Sequence, residues 1–255
     1  MALQPISIGV SAMSDPGSLC PAVKAADMIG DRWVLLLMRE LFMGATRYKD
    51  FQNALPRISP TVLSNRLKQL ELNGMIIKKS IAGEKSTEYH LTRCGRELGP
   101  LIDMMTKWGL RWARRRIRDE DLDAGTFMWD FHRSLNTEEL PDGETVISVN
   151  LNDVETHNKW WLIASASTVD LCTEDPGKEV DIYIHTALGD LAEVWMGDVG
   201  IRDAMGDDSV IVTGSSHLMR TISSWIPQSR YAEVRPKRIM EQRVGVEAVD
   251  EGSAA

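Results

Sequence analysis

The sequence has few of the features that mark membrane, secreted or metal-binding proteins. Its 255 residues contain no apolar run near the roughly 20 residues that a membrane span needs, and the start lacks the basic-then-apolar order of a secretory signal. The three cysteines, Cys20, Cys94 and Cys172, form no C-x-x-C pair. We therefore expect a cytoplasmic protein with no membrane partner, disulfide framework, metal site or cofactor.

Catalytic motifs are also missing. The chain has no G-x-S-x-G, Walker loop, H-E-x-x-H or Rossmann glycine pattern, and its five histidines lack metal-ligand spacing. An enzyme is therefore not expected.

Charge is distributed very unevenly. Residues 1–118 hold 19 Lys and Arg against 10 Asp and Glu, whereas the remainder holds 10 against 27, which together give the net charge of −8. A basic first half and an acidic second half predict different partners, with nucleic acid the leading candidate for the first. We predict a flexible tail over 1–19, a DNA-binding and dimerisation domain over 20–118, a ligand-binding domain over 126–235, and a flexible tail over 241–255.

The first half has the helix and turn signals of a winged helix-turn-helix. Helices are predicted from Pro21, over Trp33–Phe42, around Tyr48–Leu55 and from Ser59 to Asn73, because capping residues and apolar spacing coincide there. Two β-prone runs, Met75–Ile81 and Thr87–Leu91, follow as a hairpin that Lys78, Lys79 and Lys85 make basic. In this order the helix from Ser59 enters the major groove of DNA.

That helix has leucines on one side and a polar face without carboxylates on the other. Asn65 and Lys68 are suited to hydrogen-bond base edges, while the basic side chains around them are suited to phosphates. The predicted DNA-binding residues are Arg47, Lys49, Ser59, Thr61, Ser64, Asn65, Arg66, Lys68, Lys78, Lys79 and Lys85.

A further helical pattern runs from about Thr92 to Arg116, with a kink or restart at Pro100. Its apolar stripe is too extensive for a helix exposed to water, so we predict a dimer interface. The residues assigned to that interface are Leu98, Leu101, Met105, Trp108 and Trp112.

The motifs of residues 20–113 resemble the HxlR-type winged-helix regulators, which are related to the MarR type. Cys20-Pro21, Ile29-Gly30-Asp31-Arg32-Trp33, Ile58-Ser59-Pro60, Leu63-Ser64-Asn65-Arg66-Leu67 and Tyr89-His90-Leu91-Thr92 occur in the family's order and spacing. The resemblance implies a homodimer on pseudo-palindromic operators, joined through the first and last helices of the domain. It also implies a redox-sensor role for Cys20, against which stands a half-buried cysteine at a helix start.

The acidic half predicts an α+β fold. Strands are expected at Thr145–Leu151, Trp160–Ala166, Val180–Thr186 and Val210–Thr213, with helices at Leu188–Trp195 and Leu218–Ile226. Residues 126–235 resemble the SCP2 (sterol carrier protein 2) type of lipid-binding domain, which implies an apolar cavity. The candidate ligand-binding residues are Trp129, Trp161, Trp195, Met196 and Trp225, although tryptophan and methionine at such spacings also form plain core.

Two main hypotheses follow. In the first, the protein is a homodimeric repressor whose C-terminal domain binds a small hydrophobic or aromatic effector. In the second, it is a lipid or small-molecule carrier whose winged helix serves dimerisation or protein contact. The basic wing and the carboxylate-free helix face favour the first.

Overall fold

The computed structural model describes residues 19–80, 87–113, 122–166 and 168–234. It is a mixed α+β structure whose chain divides into two compact units. The first unit comprises the chain up to Arg47 together with Pro60–Glu97, and the second comprises Tyr48–Ser59 together with the chain from Leu98 onward. The predicted tails lie outside the described residues, apart from Leu19.

Ten helices and seven strands are named in chain order within this described part of the chain. The helices are α1 (Pro21–Ile29), α2 (Arg32–Phe42), α3 (Tyr48–Ala54), α4 (Pro60–Leu72), α5 (Arg93–Glu97), α6 (Gly99–Trp112), α7 (Ala124–Arg133), α8 (Leu188–Met196), α9 (Ile201–Gly206) and α10 (Ser216–Trp225). The strands are β1 (Ile76–Ser80), β2 (Thr87–Leu91), β3 (Glu144–Leu151), β4 (Lys159–Ser165), β5 (Thr168–Cys172), β6 (Ile182–Thr186) and β7 (Val210–Gly214).

The first unit is built around α2. Asp31 caps this helix, because its Oδ1 accepts hydrogen bonds from the backbone N–H groups of Trp33 (2.9 Å) and Val34 (3.3 Å). Helix α2 contacts α1, α4 and β2. Leu37 and Met38 are fully buried within it, so the central position predicted from its apolar composition is confirmed.

The β1–β2 hairpin is antiparallel, with Lys78 opposite Tyr89 and Lys79 opposite Glu88. Its base is fixed by Thr92, whose hydroxyl donates to the carbonyl of Gly74 at 2.6 Å and accepts from the backbone N–H of Gly95 at 3.1 Å. The predicted hairpin is therefore present, while its connecting residues 81–86 lie outside the described part of the chain.

The long helix predicted after Thr92 is divided in two. Helix α5 ends at Glu97 and α6 starts at Gly99, with Pro100 in its first turn, where proline leaves no intrahelical donor missing. Of the two alternatives at Pro100, a restart is therefore observed. Helix α3 and helix α6, both predicted within residues 20–118, group with the second unit.

The second unit contains a five-stranded sheet in the order β5-β4-β3-β6-β7. Strands β3 and β6 run parallel, and the other neighbours are antiparallel. The four predicted strands and both predicted helices of this half are present within a few residues of their expected ends. Helices α7 and α9 and strand β5 were not predicted.

One face of this sheet forms the main core with the helices. Trp160, Leu162 and Ala164 of β4 are buried there together with Phe127 of α7 and Trp225 of α10. Because successive strand residues alternate between faces, the partly exposed Trp161 and Ile163 lie on the other side of the sheet.

The last described segment connects α8 to α6 within the second unit. The backbone N–H of Ser229 donates to the carbonyl of Trp195 at 2.7 Å. The next two side chains reach α6, since Arg230 lies 3.7 Å from Asp103 and the Tyr231 hydroxyl hydrogen-bonds to the same carboxylate. A hydrogen bond from Lys107 is the main cause that holds the pKa of Asp103 below its ordinary value, with contributions from Tyr231 and Arg230.

Within the described ranges, no helix has both the length and the apolar character required to cross a bilayer. The same residues contain no group of His, Cys, Asp and Glu side chains that could hold a metal ion.

Gly95 offers a test of how closely the hairpin base is packed. A Cβ added there would lie 2.1 Å from the carbonyl oxygen of Met75, so Gly95→Ala is expected to lower the free energy of unfolding by about 1 to 3 kcal/mol. In Gly109→Ala, a Cβ within helix α6 meets nothing within 4 Å, so this control should raise stability by about 0.5 to 1 kcal/mol. Urea unfolding of both variants measures the two effects, and equal stability would contradict the close approach.

Candidate nucleic-acid interface

Helix α4 separates an apolar face from a polar one. Leu63, Leu67 and Leu70 are buried to 2% exposure or less, and they fix the helix within the first unit. The opposite side is exposed, as predicted, and carries Thr61, Ser64, Asn65 and Lys68. The last turn adds Glu71 and Leu72 to the exposed surface, so only the first three turns present a face without carboxylates.

Asn65 and Lys68 lie one turn apart on this exposed side, in the i and i+3 relation that makes helical side chains neighbours. The asparagine amide offers both donors and an acceptor, whereas lysine offers donors alone. Together they match the hydrogen-bonding edges of bases in a major groove.

The hairpin carries positive charge on both of its faces. Lys78 and Lys79 are exposed on β1, and strand alternation directs them to opposite sides. Lys78 lies over the ring of Tyr89, with its Nζ 5.9 Å from the ring centroid. Lys85, a further predicted contact, lies outside the described residues.

Three other predicted contacts are exposed at different places in the chain. Arg47 forms a bridge with β2 and lies 3.7 Å from Glu88, which compensates part of its charge. Lys49 on α3 and Ser59 before α4 are exposed within the second unit.

Arg66 differs from its neighbours on α4 because its guanidinium is bound within the protein. Its Nη2 donates to Asp31 Oδ2 at 2.7 Å, and its Nη1 donates to Gln69 at 3.1 Å. Its Nε is buried and has no hydrogen-bond partner among the described residues. The same Asp31 that caps α2 therefore also holds α4.

The electrostatics of Asp31 agree with this double role. Burial raises the pKa of its carboxyl, but the hydrogen bonds from Arg66 and from the backbone of Trp33 and Val34 outweigh that effect and leave the pKa below its ordinary value. Asp31 is therefore ionised at neutral pH. Its sequence signal was an acidic residue directly before an apolar helix, although its partner 35 residues away gave no local pattern.

Helix α6 carries an exposed apolar stripe. Trp108 is 63% exposed, Leu101 and Met105 are more than 40% exposed, and Trp112 is 38% exposed. Met104, at 67%, belongs to this surface and was not among the predicted interface residues. Leu98 comes directly before α6 and is partly buried.

Cys20 is exposed at the N-cap position of α1. Hydrogen bonds from the backbone N–H groups of Val23 and Ala22 lower the pKa of its thiol below the ordinary value.

The candidate ligand residues do not share one surface. Trp225 is fully buried in the core of the second unit, and the partly buried Trp195 packs against that core. Trp161 lies on the other face of the sheet, while Trp129 contacts His132 and Arg133 on α7. Met196 is partly buried at the end of α8.

A separate cleft of about 460 Å³ lies beside the first residues of β3 and the last of β4. It is lined by Thr137, Glu138, Leu140, Pro141, Asp142, Gly143, Glu144, Ala164, Ser165 and Ala166. The five candidate ligand residues do not line this cleft.

The sequence of the chain matches a known protein family. The model of the HxlR-like helix-turn-helix family matches residues 28–117. An HTH-type transcriptional regulator of Bacillus subtilis, the uncharacterized YvaP, is 39% identical over 97 residues, which span 37% of this chain and 89% of that protein. The chain belongs to the HxlR-like helix-turn-helix family. This HxlR-like protein is a DNA-binding transcriptional regulator.

Two further proteins are similar to part of this HxlR-like chain. The uncharacterized HTH-type transcriptional regulator sll1512 of Synechocystis is 37% identical over 113 residues, which span 44% of this chain and 83% of that protein. The reduced form of the transcriptional regulator YodB from B. subtilis is 29% identical, with a TM-score of 0.34 and coverage of 38% of this chain and 98% of that one.

Arg66 provides a test of how α4 is held against DNA. Arg66→Gln is expected to weaken specific binding without changing its salt dependence, because the guanidinium is bound to Asp31. Loss of one phosphate contact would instead reduce the slope of log affinity against log salt by about 0.9. Asp31→Asn should behave like Arg66→Gln, whereas Lys79→Gln, a predicted phosphate contact, should reduce the slope. A slope reduced by Arg66→Gln would make Arg66 a DNA contact.

Proposed function

We propose that the protein is a homodimeric repressor that binds a pseudo-palindromic operator and responds to a small hydrophobic or aromatic effector. The observation that carries the DNA-binding part is the exposed polar face of α4, backed by three buried leucines. In this proposal residues 20–118 bind DNA and dimerise, and residues 126–235 bind the effector as an SCP2-like domain.

The exposed side chains divide into two kinds of DNA contact. Thr61, Ser64, Asn65 and Lys68 face the bases, because they lie on the outer side of α4. Lys78 and Lys79 face the phosphates, because they lie on the hairpin that flanks a recognition helix in this architecture.

The exposed stripe on α6 supports a dimer. Five large apolar side chains between Leu101 and Trp112 are exposed, which is costly in water, and a second copy of the same stripe is a self-complementary cover. A two-fold dimer presents two copies of α4, which suits half-sites about one helical turn apart.

Repression follows most directly from such an arrangement, because a dimer bound to an operator excludes other proteins from the same DNA. The effector part is supported by the mixed sheet with its helices on one face and by the tryptophans of that core. The segment of Ser229, Arg230 and Tyr231 joins α8 to α6, so a ligand beside α8 has a short route to the dimer helix.

Selection of bound fragments from genomic DNA tests the DNA-binding part. Asn65→Ala is expected to reduce discrimination between the selected operator and random DNA by about 1 to 3 kcal/mol, if the amide contacts a base in bidentate fashion. The double variant Lys78→Ala with Lys79→Ala should weaken binding to both DNAs alike. Equal losses on both DNAs for Asn65→Ala would remove this residue from base recognition.

The oligomeric state tests the role of α6. Trp108→Asp is expected to convert the dimer to a monomer, because the new carboxylate would be desolvated within an apolar interface. Leu72→Asp, which replaces an even more exposed apolar residue on α4, should leave the dimer intact. Sedimentation velocity measures both variants, and a dimeric Trp108→Asp protein would place the interface elsewhere.

A further inference from the structure

Glu88 lies between two basic residues at the β1–β2 hairpin. It is directly opposite Lys79 of β1 on one side and forms a backbone bridge with Arg47 on the other, and both pairings are antiparallel. Residues that are directly paired in antiparallel strands project from the same face. Arg47, Glu88 and Lys79 therefore form one row in which a carboxylate has a cation on each side.

This row lies on the outer face of the hairpin. Tyr89, the next residue on β2, is buried, and successive strand residues alternate between the two faces. Glu88 therefore points away from the core of the first unit. The side chain of Arg47 is 51% exposed and that of Glu88 is 28% exposed, so both charged groups are accessible from solvent.

The two oxygens of the Glu88 carboxylate have different neighbours. Oε1 lies 3.7 Å from Nε of Arg47, and Oε2 lies 3.0 Å from Nε2 of His90. His90 is two residues further along β2 and therefore projects from the same face. The contact with His90 keeps the carboxylate on the outer face, where its other oxygen compensates part of the Arg47 charge.

The ion pair between Arg66 and Asp31 in the same unit shows how the Arg47 pair differs from a structural one. Arg66 donates to Asp31 at 2.7 Å, within the range of about 2.7 to 2.9 Å for a charge-assisted hydrogen bond. The 3.7 Å contact of Arg47 with Glu88 is longer than that range, and exposed ion pairs contribute little to stability. Glu88 therefore affects Arg47 mainly through its charge.

We propose that the Glu88 carboxylate competes with DNA phosphates for Arg47 and so lowers the affinity of the protein for DNA of any sequence. Sequence-independent affinity comes from cations that neutralise phosphates and release counterions. A phosphate that approaches Arg47 must displace the carboxylate or remain beside it against like-charge repulsion, whereas Lys79 stays a phosphate contact. This inference rests on the phosphate contacts proposed above for the hairpin and adds a residue that limits them.

Glu88→Gln tests the competition, because it removes the negative charge and nearly preserves the shape of the side chain. The full-length variant should bind the selected operator and a random duplex alike about five- to tenfold more tightly at 0.1 M salt. The slope of log affinity against log salt should become steeper by about 0.9, the value for one added phosphate contact. Fluorescence anisotropy of labelled duplexes over a salt series measures both quantities, and a gain of affinity cannot arise from a misfolded protein.

Arg47→Gln shows whether the gain comes from this arginine. In the wild-type background this change should alter the slope by less than about 0.3, because Glu88 already compensates the arginine. In the Glu88→Gln background the same change should reduce the slope by about 0.9 and cancel the gain of affinity.

Two further variants are matched controls. Glu97 on α5 is an exposed carboxylate that lies 3.2 Å from Arg93 within the first unit. Glu97→Gln makes the same change of net charge and should leave the slope unchanged. Glu88→Asp keeps the carboxylate and should keep the slope of the wild type.

The outcomes separate this inference from the DNA contacts on which it rests. An unchanged slope in Glu88→Gln, equal steepening in Glu97→Gln, or a steeper slope that persists after Arg47→Gln would overturn the competition and leave DNA binding intact. A slope reduced by about 0.9 when Arg47→Gln is made in the wild type would make Arg47 a phosphate contact that Glu88 does not block. A wild type that binds neither duplex at low salt would contradict the proposed DNA contacts themselves.

Discussion

A single carboxylate connects α2 with α4, the helix that we propose contacts the DNA bases. Asp31 uses one oxygen to cap α2 and the other to bind Arg66 of α4, so the start of α2 and the middle of α4 share one anchor. Buried leucines hold α4 to the core through apolar contacts, which are not directional in themselves. A charged hydrogen bond adds the direction that apolar packing lacks.

Local sequence signals were sufficient to predict the helices and strands of the first half. The Ser59-Pro60 start and the Asn73-Gly74 stop bound α4 closely, and Pro100 marked the start of α6, because caps and proline act on their own neighbours. Helix α7 was not predicted, and Asp130 and His132 are buried in it beside its apolar residues. Asp31 and Arg66 are 35 residues apart, and no spacing rule links them.

In the second half, local sequence patterns also fail to predict the positions of single side chains. Trp160 and Trp161 are adjacent and chemically identical, and strand alternation requires only that they face opposite ways. Which one enters the core depends on where α7 and α8 pack. Sequence reasoning placed Trp161 among the candidate ligand residues, and the structure buries Trp160 in the core and leaves Trp161 partly exposed on the other face. Composition identified a tryptophan-rich region and could not decide which of two adjacent tryptophans is buried.

Ser229, Arg230 and Tyr231, near the end of the described part of the chain, have a structural role in the second unit. Through them the polypeptide returns from the acidic half to a carboxylate on α6, which lies more than a hundred residues earlier in the chain. Helix α6 and the five-stranded sheet therefore belong to the same compact unit. A shortened chain that ended before Ser229 would leave Asp103 with Lys107 but without Arg230 and Tyr231.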